Sequence, residues 1–322
     1  MKISIIIPCH NRYDIFDYCL PYLEKQTEKD FEVIIIDDYS ENNLFDALIQ
    51  YREKSELDIK LFKNETNLGP GATRNLGIEK AQGEYIMFID SDDYIVENAI
   101  ASLCECICET YPDCIFFDFF KINNKKRMVY HSYHNIVGKI SQKDALLYAN
   151  NSTWCKIVKS EIAKMKDVFF GDFSRGEDYV FTKLALTQCN SIMYIRKPLY
   201  CYINTRDSIM NNQIVGQYYL EIFNDLRDRM VKMPSEVLDN IYMYEMVYCR
   251  LFNALEKGAK NNDIYRIINE IELNKSDWYQ TSIIRKTSFK MRCFYFMVKK
   301  HIVSGIVLMY RIKKSLLIIK NK

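Results

Sequence analysis

Apolar residues gather in short unbroken runs early in the chain and in longer, helically spaced sets toward its end. Lys2 to Ile7, Phe31 to Ile36 and Tyr85 to Ile89 are such runs, stopped by Pro8, by Asp37-Asp38-Tyr39-Ser40 and by Asp90-Ser91-Asp92-Asp93. Runs this short, apolar at nearly every position and closed by turn residues, predict strands buried on both faces. Between them, Tyr13 to Lys25 places Ile15, Phe16, Cys19, Leu20 and Leu23 near helical spacing. Asn43 to Lys54 repeats the pattern with Leu44, Ala47, Leu48 and Tyr51. Strands alternating with helices predict an α/β fold with right-handed crossovers and a mostly parallel, Rossmann-like sheet, whose carboxyl ends form a ligand crevice.

Asp90, Asp92 and Asp93 then stand where the third run emerges at that edge. Crowded carboxylates repel and raise one another's pKa unless a cation neutralises them, and hard oxygen donors suit Mg²⁺ or Mn²⁺. A divalent metal holding a diphosphate accounts for the pattern; taken alone, an Asp-x-Asp equally fits a solvated acidic turn or a helix cap. Asn67 to Gly77 adds a glycine-bearing loop leading into a helix, whose start offers free N–H groups to an anion. It lacks the ending of a P-loop and does not match a dinucleotide fingerprint.

Taken together and in order, Ile5 to Arg12, Ile34 to Ser40, Asn67 to Gly77, Phe88 to Asp93, Trp154-Cys-Lys156, Gly176-Glu-Asp178 and Tyr202 to Ser208 resemble the family 2 glycosyltransferases. These are inverting enzymes with a GT-A fold that use nucleotide-diphosphate sugars, and the resemblance spans about the first two thirds of the chain. It implies that Pro8, Asp38 and Arg74 hold the base and ribose of the nucleotide. Asp90 matches a ribose- or metal-proximal carboxylate and Asp92 the metal ligand. Asp178 matches the general base that removes a proton from the acceptor hydroxyl, with Glu177 orienting a sugar hydroxyl; without the other motifs, both would read as favourable charge at a helix start. Trp154 is expected to border the acceptor, where an indole can stack on a pyranose, and Lys156 to meet phosphate, although a core Trp beside a surface Lys fits the sequence equally. Many relatives carry Arg directly after the tyrosine where this chain has Ile203, which leaves Arg206 as a displaced phosphate-binding candidate.

A nucleotidyltransferase also uses paired carboxylates and a metal on an α/β sheet, but would leave the Gly-Glu-Asp motif without a role. A non-catalytic sugar-nucleotide-binding scaffold is the third reading, favoured only if Asp92 or Asp178 were absent. The resemblance to family 2 implies sugar transfer from a UDP-sugar to a saccharide hydroxyl in bacterial surface-polysaccharide synthesis, with these two readings as alternatives.

The 322 residues leave room for three segments: a catalytic domain over 1–212, with a nucleotide-sugar half at 1–100 and an acceptor half at 101–212, a helical appendage over 213–284 and a basic tail over 285–322. Eleven cysteines scattered through apolar segments suggest a reducing compartment rather than a disulfide framework. Cys104, Cys106 and Cys108 lack the paired spacing of a zinc site. Met1-Lys2 runs straight into the first strand, so no signal peptide and a cytoplasmic chain are expected.

Charge is strongly asymmetric. Residues 285–322 hold eleven Lys and Arg and no Asp or Glu, against +2 for the whole chain, which leaves −9 elsewhere. Read as one helix, the segment puts Met291, Val298, Ile302, Met309 and Leu316 on one side, and Arg292, Lys299, Lys300, Arg311 and Lys314 mostly opposite. Ile302 to Tyr310 is too short to span a bilayer. An interfacial helix on the anionic inner face of the cell membrane is expected, with a lipid-linked saccharide as acceptor; a basic helix packed on the acidic body or on a partner is the alternative. Nucleic acid is not expected, since no binding module accompanies the charge.

Overall fold

The structure, a computed structural model, describes residues 3–123, 126–133, 137–171, 176–203, 217–230, 233, 235–280, 284 and 287–320. The chain forms two compact units, Met1–Ser208 and Ile209–Lys322. In the first, the strands β1 (Ile3–Cys9), β2 (Phe31–Asp37), β3 (Ile59–Lys63) and β4 (Tyr85–Phe88) are parallel and alternate with the helices α1 (Cys19–Glu24), α2 (Leu44–Arg52) and α3 (Gly69–Lys80). There follow β5 (Tyr94–Ile95), α4 (Ala99–Thr110), β6 (Cys114–Asn123), β7 (Lys126–Tyr130), β8 (Gly138–Ile140), α5 (Gln142–Tyr148), β9 (Lys156–Lys159), α6 (Ser160–Ala163), α7 (Glu177–Gln188) and β10 (Ile192–Ile203). Among the described residues these strands make one sheet in the order β3-β2-β1-β4-β9-β6-β10-β5, with β7 on β6 and β8 on β10.

The sheet is mixed rather than mostly parallel, because β9 runs antiparallel between β4 and β6. It is covered on both faces, as runs without polar alternation require. Ile3, Ile5, Ile7, Val33 and Ile35 join α1, α2 and α4 in one buried cluster. Ile6 and Ile36 face α3, where a Cβ on Gly77 would lie 2.3 Å from Ile6 and 3.0 Å from Ile36. Only glycine allows that helix to lie so close to the strands. Each such isoleucine, at most 1% exposed, stabilises the fold by about 1.5–3 kcal/mol relative to exposure.

Pro8 does not end its strand. β1 continues to Cys9, with Pro8 opposite Ile36, because β4 pairs β1 only as far as Ile6 and the missing N–H falls beyond that ladder. Likewise the Asn67–Gly77 segment is helix from Gly69 onward, with Pro70 in its first turn. Tyr13–Lys25 divides into a 3₁₀ turn, Tyr13–Phe16, and α1.

The second unit is helical, with α8 (Gln217–Arg229), α9 (Ser235–Ile241), α10 (Arg250–Glu256), α11 (Asn261–Asn274), α12 (Phe289–Lys299) and α13 (Val303–Lys320). A π-helical segment, Tyr242–Cys249, joins α9 to α10. The reading of 285–322 as one helix with one apolar side is corrected here. His301 adopts φ 53, in the left-handed region, so α12 and α13 are separate helices and positions on either side of the break do not share a projection. Much of their apolar surface is core: Phe294, Val298 and Ile306 are fully buried, and Phe294 packs edge-on to Tyr248. Among the described residues no helix is long and apolar enough to cross a membrane.

Candidate active site

The crevice forms where the carboxyl ends of β1, β2 and β4 meet the amino ends of α3 and α7. Asp38, just past β2, is buried, and both its oxygens are engaged. Oδ1 accepts from Asn64 Nδ2 (2.7 Å) and the Leu68 N–H (2.8 Å), and Oδ2 accepts from the Gly69 N–H (2.8 Å). The carboxylate thus caps α3, a helix that begins 31 residues later, where negative charge meets the positive end of the helix dipole. It shapes the wall of the crevice, so the residue expected from sequence to accept from the base is also a helix cap. His10 Nδ1 donates to the Asp38 carbonyl (2.8 Å) and the Asn11 N–H to Ser40 Oγ (2.8 Å), joining the ends of β1 and β2. Asn11 and Tyr39 both take positive φ there, 55° and 59°, a strain that collects at binding sites. Pro8 is half-buried at the floor of this edge.

Arg74, on α3, is the hub. Its Nη2 donates to Asp90 Oδ1 (2.8 Å), and its Nη1 donates to Asp178 Oδ1 (3.0 Å) and to Glu177 Oε1 (3.4 Å). The guanidinium is 6% exposed, lies 5.5 Å over the Phe170 ring, and has an unpartnered buried Nε. Phe170 is held in turn by reciprocal bonds between its backbone and the Asn75 amide (2.9 Å each), and by stacking on Phe181 at 4.3 Å. A Cβ on Gly71 would sit 3.2–3.3 Å from Phe170 and Glu177, so its small size lets the first turn of α3 approach the start of α7. The expected nucleotide ligand Arg74 therefore ties the acidic turn to the Gly-Glu-Asp motif.

Within the acidic turn the three carboxylates differ. Asp93 is structural: it accepts from the Tyr200 hydroxyl (2.8 Å) and the Ile203 N–H (2.7 Å), fixing β10 to the turn. Asp90 and Asp92 face the crevice, 30% and 25% exposed at the side chain. Burial pushes all three above the usual carboxylate range; Asp90 adds to the rise of Asp92, while Arg74 opposes that of Asp90. Burial and the neighbouring Asp178 likewise raise Glu177 against the pull of Arg74. Asp90 and Asp92 are two hard oxygen donors whose ionised form is disfavoured by their own surroundings, a donor set that fits Mg²⁺ or Mn²⁺ completed by phosphate oxygens and water. The cation near Asp92 is Arg12, with Nη2 at 3.7 Å from Oδ2. Sequence reasoning assigned Arg12 no role.

Asp178 sits in the first turn of α7, 27% exposed, and its Oδ2 accepts from the Thr153 N–H at 3.4 Å. The structure thus brings Arg74, Asp90, Asp92, Glu177 and Asp178 to one place. It does not bring Trp154 and Lys156 to it in the expected form. Trp154 is 8% exposed, stacked on Tyr200 at 4.7 Å and Tyr202 at 5.6 Å, with Phe119 edge-on at 4.7 Å. Its ring is core, without the open face that a pyranose needs. Lys156 is 4% exposed and spends two of its three ammonium donors on the Ser152 carbonyl and on Thr182 Oγ1 (3.2 Å), because β9 turns it inward, away from the exposed position expected of a phosphate contact. Arg206 lies outside the described residues.

Arg12, Asn64, Asn75, Thr153 and Phe170 were not singled out from sequence. Arg12 alone left a signal, as a cation immediately past the first strand; the amides and Phe170 act through partners remote in sequence. All eleven cysteines are free thiols.

Comparison with known proteins bears on the family and the fold. The profile of "Glycosyl transferase family 2" matches residues 4–168. The chain is 32% identical over 212 residues to the poly(ribitol-phosphate) beta-glucosyltransferase of Bacillus spizizenii, covering 64% of this chain and 33% of that protein. It is 26% identical over 274 residues, 80% of this chain and 86% of the other, to the GalNAc(5)-diNAcBac-PP-undecaprenol beta-1,3-glucosyltransferase of Campylobacter jejuni. It spans about a third of the length of the first of these relatives. Residues 1–349 of Staphylococcus aureus TarS, solved with UDP-GlcNAc, superpose with a TM-score of 0.74 at 22% identity, over 98% of this chain and 92% of that one. The fold is GT-A, with a helical C-terminal unit.

Proposed function

Because this chain belongs to glycosyl transferase family 2, we propose that it transfers a sugar from a UDP-sugar to a hydroxyl of a saccharide acceptor, with inversion at the anomeric carbon. The observation that carries the reading is the Arg74 bridge. It fixes Asp178 of the Gly-Glu-Asp motif beside Asp90 of the acidic turn, which supports one group acting on the acceptor next to a donor held by the other.

In this reading Asp178 takes the proton from the acceptor hydroxyl as its oxygen forms the new bond to the anomeric carbon. The bond to the diphosphate breaks on the opposite side and its electron pair leaves with the diphosphate. Arg74 holds Asp178 in place through its Nη1 hydrogen bond, and Glu177 orients a sugar hydroxyl. Asp90 and Asp92 would hold a divalent cation, which when bound supplies charge neutralisation for the diphosphate. Arg12, 3.7 Å from Asp92, takes the place of Lys156 as the candidate cation for the diphosphate. A nucleotidyltransferase would leave Asp178 idle, although Arg74 fixes it beside Asp90.

The relatives support a setting in surface-glycan synthesis, one acting on poly(ribitol-phosphate) and another on an undecaprenol-linked glycan. The +11 segment at 285–322 supports a lipid-linked acceptor met at an anionic inner membrane face. The test is release of nucleoside diphosphate from UDP-, GDP- and dTDP-sugars with Mn²⁺ or Mg²⁺. Slow, chelator-sensitive release of UDP from one donor is expected. Release of pyrophosphate from a nucleoside triphosphate instead would sink the proposal.

A further inference from the structure

The C-terminal unit leaves a second apolar surface that the sugar-transfer site does not use. On α12, Phe289, Arg292, Cys293 and Phe296 line an open groove of about 380 Å³ together with Tyr279 and Met297. Phe289 is 74% exposed and Phe296 48%. Seven residues apart, they stand two turns from each other on one side of the helix. The inner side of α12 is already filled by Phe294, Tyr295 and Val298, so the outer rings are not core residues left short of a partner.

The cations divide in the same way. Lys299 and His301 meet Glu272 at 3.1 and 3.2 Å. Lys290, Arg292 and Lys300 are exposed, with the Arg292 guanidinium 5.9 Å over the Phe289 ring. They belong to a 38-residue stretch, 285–322, without a single acidic residue. A second copy docked on this face would set like charges against one another. A surface that takes aromatic rings at its acyl boundary and cations at its phosphates matches both halves of the pattern at once.

We propose that the outer face of α12, with Phe289 and Phe296 as insertion anchors and Lys290, Arg292 and Lys300 as phosphate contacts, docks this protein on an anionic lipid bilayer. This deepens the lipid-linked acceptor reading, on which its purpose rests. The face differs from the one that a single-helix projection gives, since Val298 is core and Ile302 lies at the break between α12 and α13.

The experiment is co-sedimentation of the full chain with phosphatidylcholine vesicles, with and without phosphatidylglycerol, alongside UDP release measured in the absence of vesicles. Binding to the anionic vesicles only is expected. It should weaken about twentyfold or more in K290E/R292E, at roughly fivefold for each cation lost, and about a hundredfold or more in F289S/F296S, at roughly tenfold or more for each ring lost, with UDP release unchanged in both. Equal binding to neutral vesicles, or variants that bind like the intact chain, would overturn the proposal. So would a fall in light-scattering mass of F289S/F296S without vesicles, since the face would then belong to a second copy. Lost UDP release with vesicle binding retained would count against the transferase reading and leave the docking face standing.

Discussion

Arg74 and Asp178, 104 residues apart in sequence, are joined by a 3.0 Å hydrogen bond from one guanidinium nitrogen, while the other nitrogen holds Asp90 at 2.8 Å. The acidic turn and the Gly-Glu-Asp motif are thereby set by one buried cation. Removing it leaves three partly buried carboxylates facing each other. We expect Arg74→Ala to lose ~2–3 kcal/mol of stability in urea unfolding, below the cost of breaking a fully buried pair because Asp90 and Asp178 retain some solvent. UDP release should fall about 100-fold or more. Arg74→Lys should recover part of the stability and little of the rate, since an ammonium cannot reproduce the planar fork.

The Asp38 carboxylate should behave as a helix cap. Asp38→Ala removes acceptors from the Leu68 and Gly69 N–H groups and should cost about 1–2 kcal/mol. Donor affinity should weaken with it, because the wall of the crevice loosens, while kcat changes less. A titration of UDP against the variant, together with its unfolding curve, checks both.

How far the sequence revealed this site depends on how local each feature is. The strands, the acidic turn and the start of α7 were legible because apolar runs ending in carboxylates are contiguous signals. Lys156 was not: its inward turn depends on β9 running antiparallel beside β4, and its partner Thr182 lies on another element. Asp38 as a cap for a helix beyond β3 is equally non-local. The break at His301 has no glycine or proline to mark it, so α12 and α13 read as one helix and their buried residues passed for a free apolar side.

Trp154 supplies a direct contrast between core and acceptor roles. Trp154→Ala should cost about 3–5 kcal/mol, as the loss of a buried aromatic does. Trp154→Phe, which keeps stacking with Tyr200 and Tyr202, should cost much less and leave acceptor KM unchanged once an acceptor is in hand. A KM raised tenfold in a Phe variant of normal stability would place the ring at the acceptor after all.

Glu177 gives a pH signature. Burial and Asp178 raise its folded pKa above the unfolded value. Its contribution to stability is therefore fully present below the ordinary glutamate range and is lost as pH rises through the raised value. Glu177→Gln removes that loss, so its Tm relative to the intact chain should improve from pH 4 to pH 7.5. A difference that is flat or reversed across that range would contradict the assignment.

The central claim, that Asp178 acts on the acceptor next to a donor held near Asp90, is tested most directly by Asp178→Asn. The measurement is single-turnover UDP release from the donor that the intact enzyme hydrolyses, with donor binding read by calorimetry on the same preparation. Binding within a few fold of the intact chain and release slowed by about 10²–10⁴ is the expected result, the range for a lost general base. Release at the normal rate, or a loss confined to donor binding, would show that Asp178 is not the base.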